Sequence, residues 1–229
     1  VKHMAGKMAN NTCTWVPLPD GVIPIKSKLV PAIKYNEVDN TINERTLRWV
    51  GCGYLQKEGA DYAETYTATS KAIAVRIFLN ILMMLSMKTR KFDVPKAFTR
   101  SNIDVEMYVS QPEEKNCPGL LCKSKDKHGR YYVALLHKAL EGLKQAGYLF
   151  QSLNTETLKK LGFKQMESHP TTFVLHTSEG IVMHDVWVDD FATGYTSDKM
   201  LIQFVKGYSE AEGMALKDEG ELTQYAGIQ

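Results

Sequence analysis

The chain has 229 residues, of which 44% are hydrophobic and 24% charged, a balance typical of a globular protein with one large domain or two smaller ones. Its formal net charge of +2 excludes a strongly basic arm of the histone kind. A nucleic-acid partner would therefore need a local binding groove.

The N-terminal part of the chain predicts a hairpin and a helix. After a proline-rich start, a short strand is expected around Ile23–Ile33. Two alternating apolar and polar runs, Leu29–Tyr35 and Leu47–Leu55, flank a stretch rich in Asn and Asp, which is the pattern of a β-hairpin. Helical spacing from Ser70 to Met87 predicts a buried helix that is too short and too polar to cross a membrane.

The remaining elements follow the same two periodicities. Strands are predicted at the segment that carries Asp93 and ends at Pro95, at Val105–Ser110, Tyr131–Leu136, Phe173–His176, Ile181–Val188, Phe191–Tyr195 and Gln224–Ile228. Helices are predicted at Leu140–Leu161, before Gly162, and at Asp198–Glu212. This order indicates an α+β fold in which helices cover one face of an antiparallel sheet.

The four cysteines predict neither a zinc site nor a disulfide framework. Cys117 and Cys122 are the only close pair, and they lack the paired spacing that a zinc site needs. We expect free thiols in a reducing compartment.

Three aspartates are candidate metal ligands because each lies at the end of an apolar strand. Asp93 ends one strand, and the adjacent Asp189 and Asp190 lie at the expected tip of a hairpin. Adjacent carboxylates repel one another, so their partial burial favours a bound cation. Phosphoryl transfer by two metal ions needs only a few carboxylates together with water and substrate phosphates. An Asp-Asp pair alone is more often a solvated turn.

Seven collinear segments favour the metal-binding interpretation over a solvated turn. They are "TWVPLPDGVIPIKSK", "GYLQKEGADYAETYTATS", "FDVPKAF", "EMYVSQPE", "LHKALEGLKQA", "VWVDD" and "LKDEGELTQYAGI". Together they resemble the reverse transcriptases of copia-type LTR retrotransposons over nearly the whole chain. The resemblance implies a right-hand polymerase fold with fingers and palm subdomains. It also implies an RNA-directed DNA polymerase that adds dNTPs to a primer 3′-hydroxyl.

The resemblance assigns roles to particular residues of the palm. Asp93, Asp189 and Asp190 match the ligands of two Mg²⁺ ions, with Mn²⁺ as an alternative. Lys217 matches a lysine that donates a proton to the leaving pyrophosphate. The residues that match primer-binding positions are Trp187, Tyr225 and Gly227.

Other matches concern the substrates. Phe98 matches the bulky residue that excludes a ribose 2′-hydroxyl, although a core aromatic is the alternative. The "GLKQ" segment, with Gly142, Lys144 and Gln145, matches a motif packed near the template and the incoming base pair. Arg45 and Arg48 are candidate triphosphate contacts, with a solvated strand face as the alternative.

Several segments depart from the family pattern. The family's "YKARLVAKG" is here "TLRWVGCG", so Cys52 stands where a lysine is expected and triphosphate binding is in doubt. "AFLNG" is replaced by "AFTRS", "GLKQAPRAW" by "GLKQAGYLF", and the tyrosine before "VDD" by Trp187. A catalytically decayed copy that only binds nucleic acid is therefore the alternative function.

The resemblance also implies an organisation and a setting. Residues 1–90 are expected to form an N-terminal segment and fingers, 91–110 the first palm strand, 111–138 a return to the fingers, and 139–229 the rest of the palm with the primer-gripping turn. A full thumb and a ribonuclease H domain are expected to be absent from the chain. Expected partners are an RNA or DNA template with its primer, dNTPs, and the integrase and ribonuclease H parts of a polyprotein. We expect a cytoplasmic retrotransposon particle or the nucleus as the location, and no membrane partner.

Overall fold

The computed structural model describes residues 11–35, 41–112, 125–211 and 216–226. The chain divides into two units, and each unit is built from two separate stretches of chain. The first unit comprises Val1–Thr65 and Phe98–Leu149, and the second comprises Tyr66–Ala97 and Phe150–Gln229. Residues 66–90, which the sequence placed with the fingers, thus belong to the second unit.

The described residues form eleven strands and three α-helices. In chain order they are β1 (Cys13–Pro17), β2 (Ser27–Tyr35), β3 (Ile42–Gly51), α1 (Ala72–Met84), β4 (Lys88–Asp93), β5 (Tyr108–Ser110), β6 (Tyr132–Leu136), α2 (Ala146–Lys160), β7 (Lys164–Gln165), β8 (Thr172–Thr177), β9 (Gly180–Trp187), β10 (Asp190–Tyr195), α3 (Asp198–Glu210) and β11 (Lys217–Gly220). All strand pairings within the three sheets are antiparallel. The mixed α/β composition with antiparallel sheets agrees with the expected class.

The first unit contains a three-stranded sheet and a separate hairpin. The sheet has the order β1-β6-β5, and β2 pairs with β3 from Ser27 opposite Gly51. The predicted hairpin is confirmed, but its second strand begins at Ile42 and ends at Gly51, followed by a 3₁₀ turn at Gly53–Leu55. The indole of Trp49 is buried in the core of this unit and donates a hydrogen bond to Ser27 Oγ at 2.8 Å. Strand β1, in the region predicted as loops, was missed.

Close packing between two backbones shortens the predicted second helix. The amide of Gly51 donates to the Glu141 carbonyl at 2.8 Å, and the amide of Gly53 donates to the Gly142 carbonyl at 3.1 Å. Gly142 has a φ of +87°, and a Cβ there would lie 2.4 Å from the Gly51 carbonyl oxygen. The chain therefore turns at Gly142, and helix α2 begins at Ala146 instead of the predicted Leu140.

The second unit is built on a six-stranded sheet with the order β11-β4-β10-β9-β8-β7. The predicted meander of three strands is confirmed as β8, β9 and β10. The predicted strand at Gln224–Ile228 is wrong for its described part, Gln224–Ala226, which contains no continuous strand. The strand near this end is β11, which pairs with β4.

Helices lie on both faces of this sheet, which corrects the expectation of one covered face. Side chains alternate between the faces of a strand, so Phe191 and Gly194 of β10 point in opposite directions. Phe191 packs edge-on against Tyr208 of α3, with ring centroids 5.6 Å apart. A Cβ on Gly194 would instead lie 2.2 Å from Leu82 of α1. Helices α3 and α1 therefore cover opposite faces.

Helix α1 is not the fully buried helix that its composition predicted. Its buried positions are Ala74, Val75, Phe78 and Leu82. Ile73, Ile77 and Met84 are exposed, Met84 by 83%. Apolar residues occur on more than one side of this helix, so their spacing could not identify the side that faces the sheet. Among the described residues, no helix is long and apolar enough to span a membrane.

We expect Gly142→Ala to destabilise the protein more than Gly129→Ala. Both glycines lie in the first unit with φ near +80°, but a Cβ on Gly129 would meet nothing within 4 Å. The left-handed conformation costs either alanine roughly 1–2 kcal/mol. The contact with the Gly51 carbonyl should add about 1–3 kcal/mol at Gly142 only. Urea unfolding of the two variants measures the difference, and equal losses would show that the two backbones separate easily.

Candidate active site

The register of three neighbouring strands brings charged residues onto one face of the six-stranded sheet. Asp93 at the end of β4 lies directly opposite Asp190 at the start of β10. On the other side of β4, Lys217 of β11 also lies opposite Asp93. Side chains that are directly opposite in an antiparallel pair share a face, with Cβ atoms about 4.5–5.5 Å apart. The two predicted strand-end aspartates are therefore neighbours.

A two-residue turn, Val188 and Asp189, joins β9 to β10 and carries the third predicted aspartate. Val188 has a φ of +59°, which is strained for a β-branched residue. The carbonyl of Asp189 accepts a hydrogen bond from the amide of Val94 at 3.0 Å. The backbone of the turn is thus held by the residue that follows Asp93.

The carboxyl groups of this site repel one another. Partial burial raises the pKa of Asp93, and the nearby charges of Asp189, Glu219 and Asp190 raise it further. Burial likewise raises the pKa of Asp190, although Lys91 opposes the increase. Each group is harder to ionise than a free aspartate, so a cation or a proton would stabilise the cluster.

The carboxylate oxygens of this site suit a hard divalent cation, but they do not surround one completely. Within the part of the chain that the structure describes, no three His, Cys, Asp or Glu side chains form a metal-sized group. Mg²⁺ commonly uses one or two carboxylates together with water and substrate phosphates. Asp93 and Asp190 have that character, and Asp189 lies beside them in the turn.

Two charged residues of this site were missed in the sequence. Lys91 Nζ lies 3.5 Å from Asp190 Oδ1 and 3.2 Å from Glu219 Oε2. The other Glu219 oxygen, Oε1, lies 2.8 Å from Lys217 Nζ. The sequence did contain a signal, because Lys91 is two residues before Asp93 on the same strand and therefore shares its face. Glu219, at an irregularity in β11, had no comparable signal.

The predicted proton donor Lys217 lies at the site but is paired. Its ammonium donates to Glu219 at 2.8 Å, and this hydrogen bond raises the pKa of Lys217. A proton on Lys217 is therefore held more tightly than on a free lysine.

The predicted primer-binding residues differ in their exposure. Trp187 of β9 lies opposite Asp190, and its side chain is exposed. Tyr225 is only 2% exposed, and its hydroxyl bonds to Asp185, so contact of its ring with a primer is not supported. Gly227 lies outside the described residues.

The remaining predicted residues lie in the first unit. Arg45 and Arg48 are exposed on β3, three positions apart and thus on opposite faces of that strand. Phe98 is half-buried against the core around Trp49 and Leu140, which agrees with the core-aromatic alternative without excluding the predicted role.

The "GLKQ" segment mainly contacts its own unit. Gln145 is fully buried, and its amide nitrogen donates to the Asp61 carbonyl at 2.9 Å. Its amide oxygen accepts a hydrogen bond from Gln56 at 2.8 Å, so the side chain links two segments of the first unit. Lys144 donates to the Tyr62 hydroxyl at 3.0 Å and lies over the ring of that tyrosine.

Of the four cysteines, Cys13 and Cys52 are buried. Cys117 and Cys122 lie outside the described residues.

Comparison with known proteins gives the chain a family. Residues 10–229 match the family model described as reverse transcriptase (RNA-dependent DNA polymerase). The chain is 32% and 30% identical, over 97% of its length, to the Retrovirus-related Pol polyproteins from transposons RE1 and RE2 of Arabidopsis thaliana. It is 28% identical over 99% of its length to the corresponding polyprotein from transposon TNT 1-94 of Nicotiana tabacum.

The chain spans only 14% to 16% of the length of these polyproteins. These matches confirm the resemblance to retrotransposon reverse transcriptases on which the sequence prediction rested. Since the family model covers nearly every residue, the chain belongs to the reverse transcriptase (RNA-dependent DNA polymerase) family.

Proposed function

We propose that this chain is the fingers and palm of a right-hand polymerase that copies RNA or DNA by two-metal nucleotidyl transfer. The first unit would supply the fingers and the second the palm. The observation that carries the proposal is the register of Asp93 with Asp190, beside Asp189 in the turn. Strand pairing thereby brings Asp93 and Asp190 together at one end of an antiparallel sheet, next to the turn that carries Asp189.

Asp93, Asp189 and Asp190 would hold Mg²⁺, or Mn²⁺ in its place. When bound, the ions would activate the primer 3′-hydroxyl and stabilise the oxygens of the leaving pyrophosphate. Lys91 would remain near Glu219 and balance part of the negative charge. Lys217 could donate a proton to pyrophosphate only after leaving Glu219, because that pairing holds its proton.

The other predicted residues complete the proposal. Exposed Trp187 would support the primer end, and Phe98 would exclude ribonucleotides. Arg45, Arg48 and Lys144 would meet phosphates, with Gly142 and Gln145 shaping the segment around Lys144. Its partners would be a template with primer, dNTPs, and the integrase and ribonuclease H parts of a polyprotein. The setting would be a cytoplasmic retrotransposon particle or the nucleus.

A nucleic-acid-binding remnant without turnover is the second candidate, and Cys52 favours it. Cys52 stands where the family has a lysine, and its side chain is only 5% exposed at the base of the hairpin. Position 52 therefore lacks the ammonium that the family pattern would place near a triphosphate. Primer extension on poly(rA)/oligo(dT), beside a salt-dependent binding titration, separates the two candidates: the remnant binds without extending.

We expect Asp93→Asn and Asp190→Asn each to reduce primer extension by roughly 100-fold or more, since each removes a charge that acts on the transition state. Template-primer affinity should change little, because it depends on many phosphate contacts. Asp218→Asn is the matched control: Asp218 lies opposite Phe92, so it faces the other side of the same sheet. Loss of extension in the control, or full activity in either test variant, would contradict the assignment.

We expect Asp93→Asn to raise the free energy of unfolding at neutral pH in EDTA. The pKa of Asp93 is raised above its ordinary value of 3.8 in the folded state, so ionisation above that raised pKa destabilises the fold. The gain should disappear as the pH falls toward 3.8, where the wild-type carboxyl becomes protonated. Urea unfolding across pH, with Asp218→Asn beside it, measures the effect.

The same variants can be used to measure metal binding by a method that does not depend on primer extension. Mg²⁺ or Mn²⁺ should raise the melting temperature of the wild type and of Asp218→Asn, since ligands that bind the folded state stabilise it. Asp93→Asn should lose most of this increase. An equal increase in all three proteins would place the metal elsewhere.

We expect Phe98→Ala to raise incorporation of rNTPs relative to dNTPs by roughly tenfold or more, because it removes a steric block against one hydroxyl. Ile103→Ala is the control, since Ile103 is also partly buried against the same core as Phe98. Single-nucleotide extension measures selectivity, and thermal unfolding measures stability. If Phe98→Ala loses stability as Ile103→Ala does while selectivity is unchanged, Phe98 is a core residue only.

A further inference from the structure

A buried carboxylate that the proposed chemistry does not use lies on β9, four residues before Asp189. Asp185 has no exposed surface. Its two oxygens accept hydrogen bonds from Ser70 Oγ at 2.7 Å, Thr171 Oγ1 at 3.0 Å, Thr172 Oγ1 at 2.9 Å and Tyr225 Oη at 3.2 Å. A carboxylate buried without such donors would be costly, so the four hydroxyls make this site tolerable for the fold.

These hydroxyls come from three separate parts of the second unit. Ser70 precedes helix α1, Thr171 immediately precedes β8, Thr172 is its first residue, and Tyr225 follows β11. The Thr171 carbonyl also accepts a hydrogen bond from the amide of Val186, next to Asp185, at 3.0 Å. One carboxylate therefore links β9 to segments that lie far from it in sequence.

The contact with Tyr225 joins Asp185 to the segment that follows β11. Tyr225 Oη lies 2.9 Å from the Asp185 carbonyl oxygen in addition to its contact with the carboxylate. Its ring is buried with Phe78, Leu82 and Met183. Burial and the Asp185 charge raise the pKa of Tyr225, so its hydroxyl remains protonated and donates.

Strand alternation places Asp185 on the same sheet face as the acidic residues. Asp185 lies opposite Ala192, and Trp187 lies opposite Asp190. Ala192 and Asp190 are two positions apart on β10, so their side chains share a face with those of Asp185 and Trp187. Tyr225 is therefore anchored to the strand that leads into the Val188–Asp189 turn.

We infer that Asp185 is a positioning residue that holds the segment containing Tyr225 against β9 and so fixes β11, with Lys217 and Glu219, beside the acidic turn. This role rests on the proposed function in one respect only: the consequence for primer extension. The mechanical link itself depends on the hydrogen bonds described above.

Tyr225→Phe is the sharpest test because it removes the hydroxyl and keeps the buried ring. Relative to the wild type, we expect amide hydrogen exchange in Tyr225→Phe to become faster in residues 216–226 and to change less in the rest of the second unit. Asp185→Asn should give the same regional pattern. Thr193→Val is the matched control: it removes a different buried hydrogen bond of this sheet, 2.7 Å long, between Thr193 Oγ1 and His184 Nδ1 on the opposite face.

Kinetics then test the functional consequence. A misplacement of about 1 Å at the reacting groups can cost roughly 100-fold in rate, so Tyr225→Phe should lower kcat for primer extension by roughly 10- to 100-fold. The KM for dNTP should change much less. Tyr225→Phe combined with Asp185→Asn should be no slower than the worse single variant, because both remove one link.

Regional exchange that is unchanged in Tyr225→Phe, or that matches Thr193→Val, would overturn the inference. Faster exchange without any change in kcat would show a structural link with no positioning role. If the wild-type chain extends no primer, the proposed function fails, and the exchange experiment still decides whether the link exists. If Asp185→Asn does not fold, Tyr225→Phe decides alone.

Discussion

The antiparallel pairing of β4 with β10 is the constraint on which the candidate site depends. It places Asp93 directly opposite Asp190, and the hydrogen bond from Val94 to Asp189 holds the adjoining turn at the same level. A slip of one residue in this register would turn Asp93 to the other face of the sheet. Buried residues on both faces, such as Phe92 against α3 and Ala192 against α1, make such a slip costly. Core packing thus determines where the charges meet.

Much of this arrangement was predictable because it depends on local patterns. The meander of β8, β9 and β10 alternates clearly, and its hairpin tip coincides with Asp189. Strand β11 was missed because its sequence, "KDEG", has no apolar alternation and pairs through its backbone with β4. The burial of Tyr225 also had no local signal, since it depends on Asp185, 40 positions away.

The start of helix α2 could not be predicted from the sequence for another reason. Helical spacing continues back to Leu140, but the backbone of Gly142 packs against Gly51, which comes from a distant part of the chain. Tertiary packing there overrides a helical pattern. The segment around this glycine was predicted to pack near the template and the incoming base pair, and in the structure Gly142 itself packs closely against protein backbone.

The acidic residues of the second unit lie in two different environments. Asp185 is surrounded by hydroxyl donors, and these hold it in one position. Asp93 and Asp190 instead lie partly exposed beside other carboxylates, with Lys91 as a partial counter-ion for Asp190. The first arrangement offsets the cost of burying a charge, whereas the second leaves negative charge available for a ligand. Both occur on the same face of one sheet.

The left-handed conformation of Val188 indicates that the surrounding structure holds the acidic turn. Positive φ is unfavourable for a branched side chain, so Val188 would adopt a negative φ if the neighbouring strands did not fix the turn. The strain, about 1–3 kcal/mol for such a residue, is borne by the strand pairing on either side. Conformational entropy that a flexible turn would lose on binding a ligand has already been lost when the chain folds.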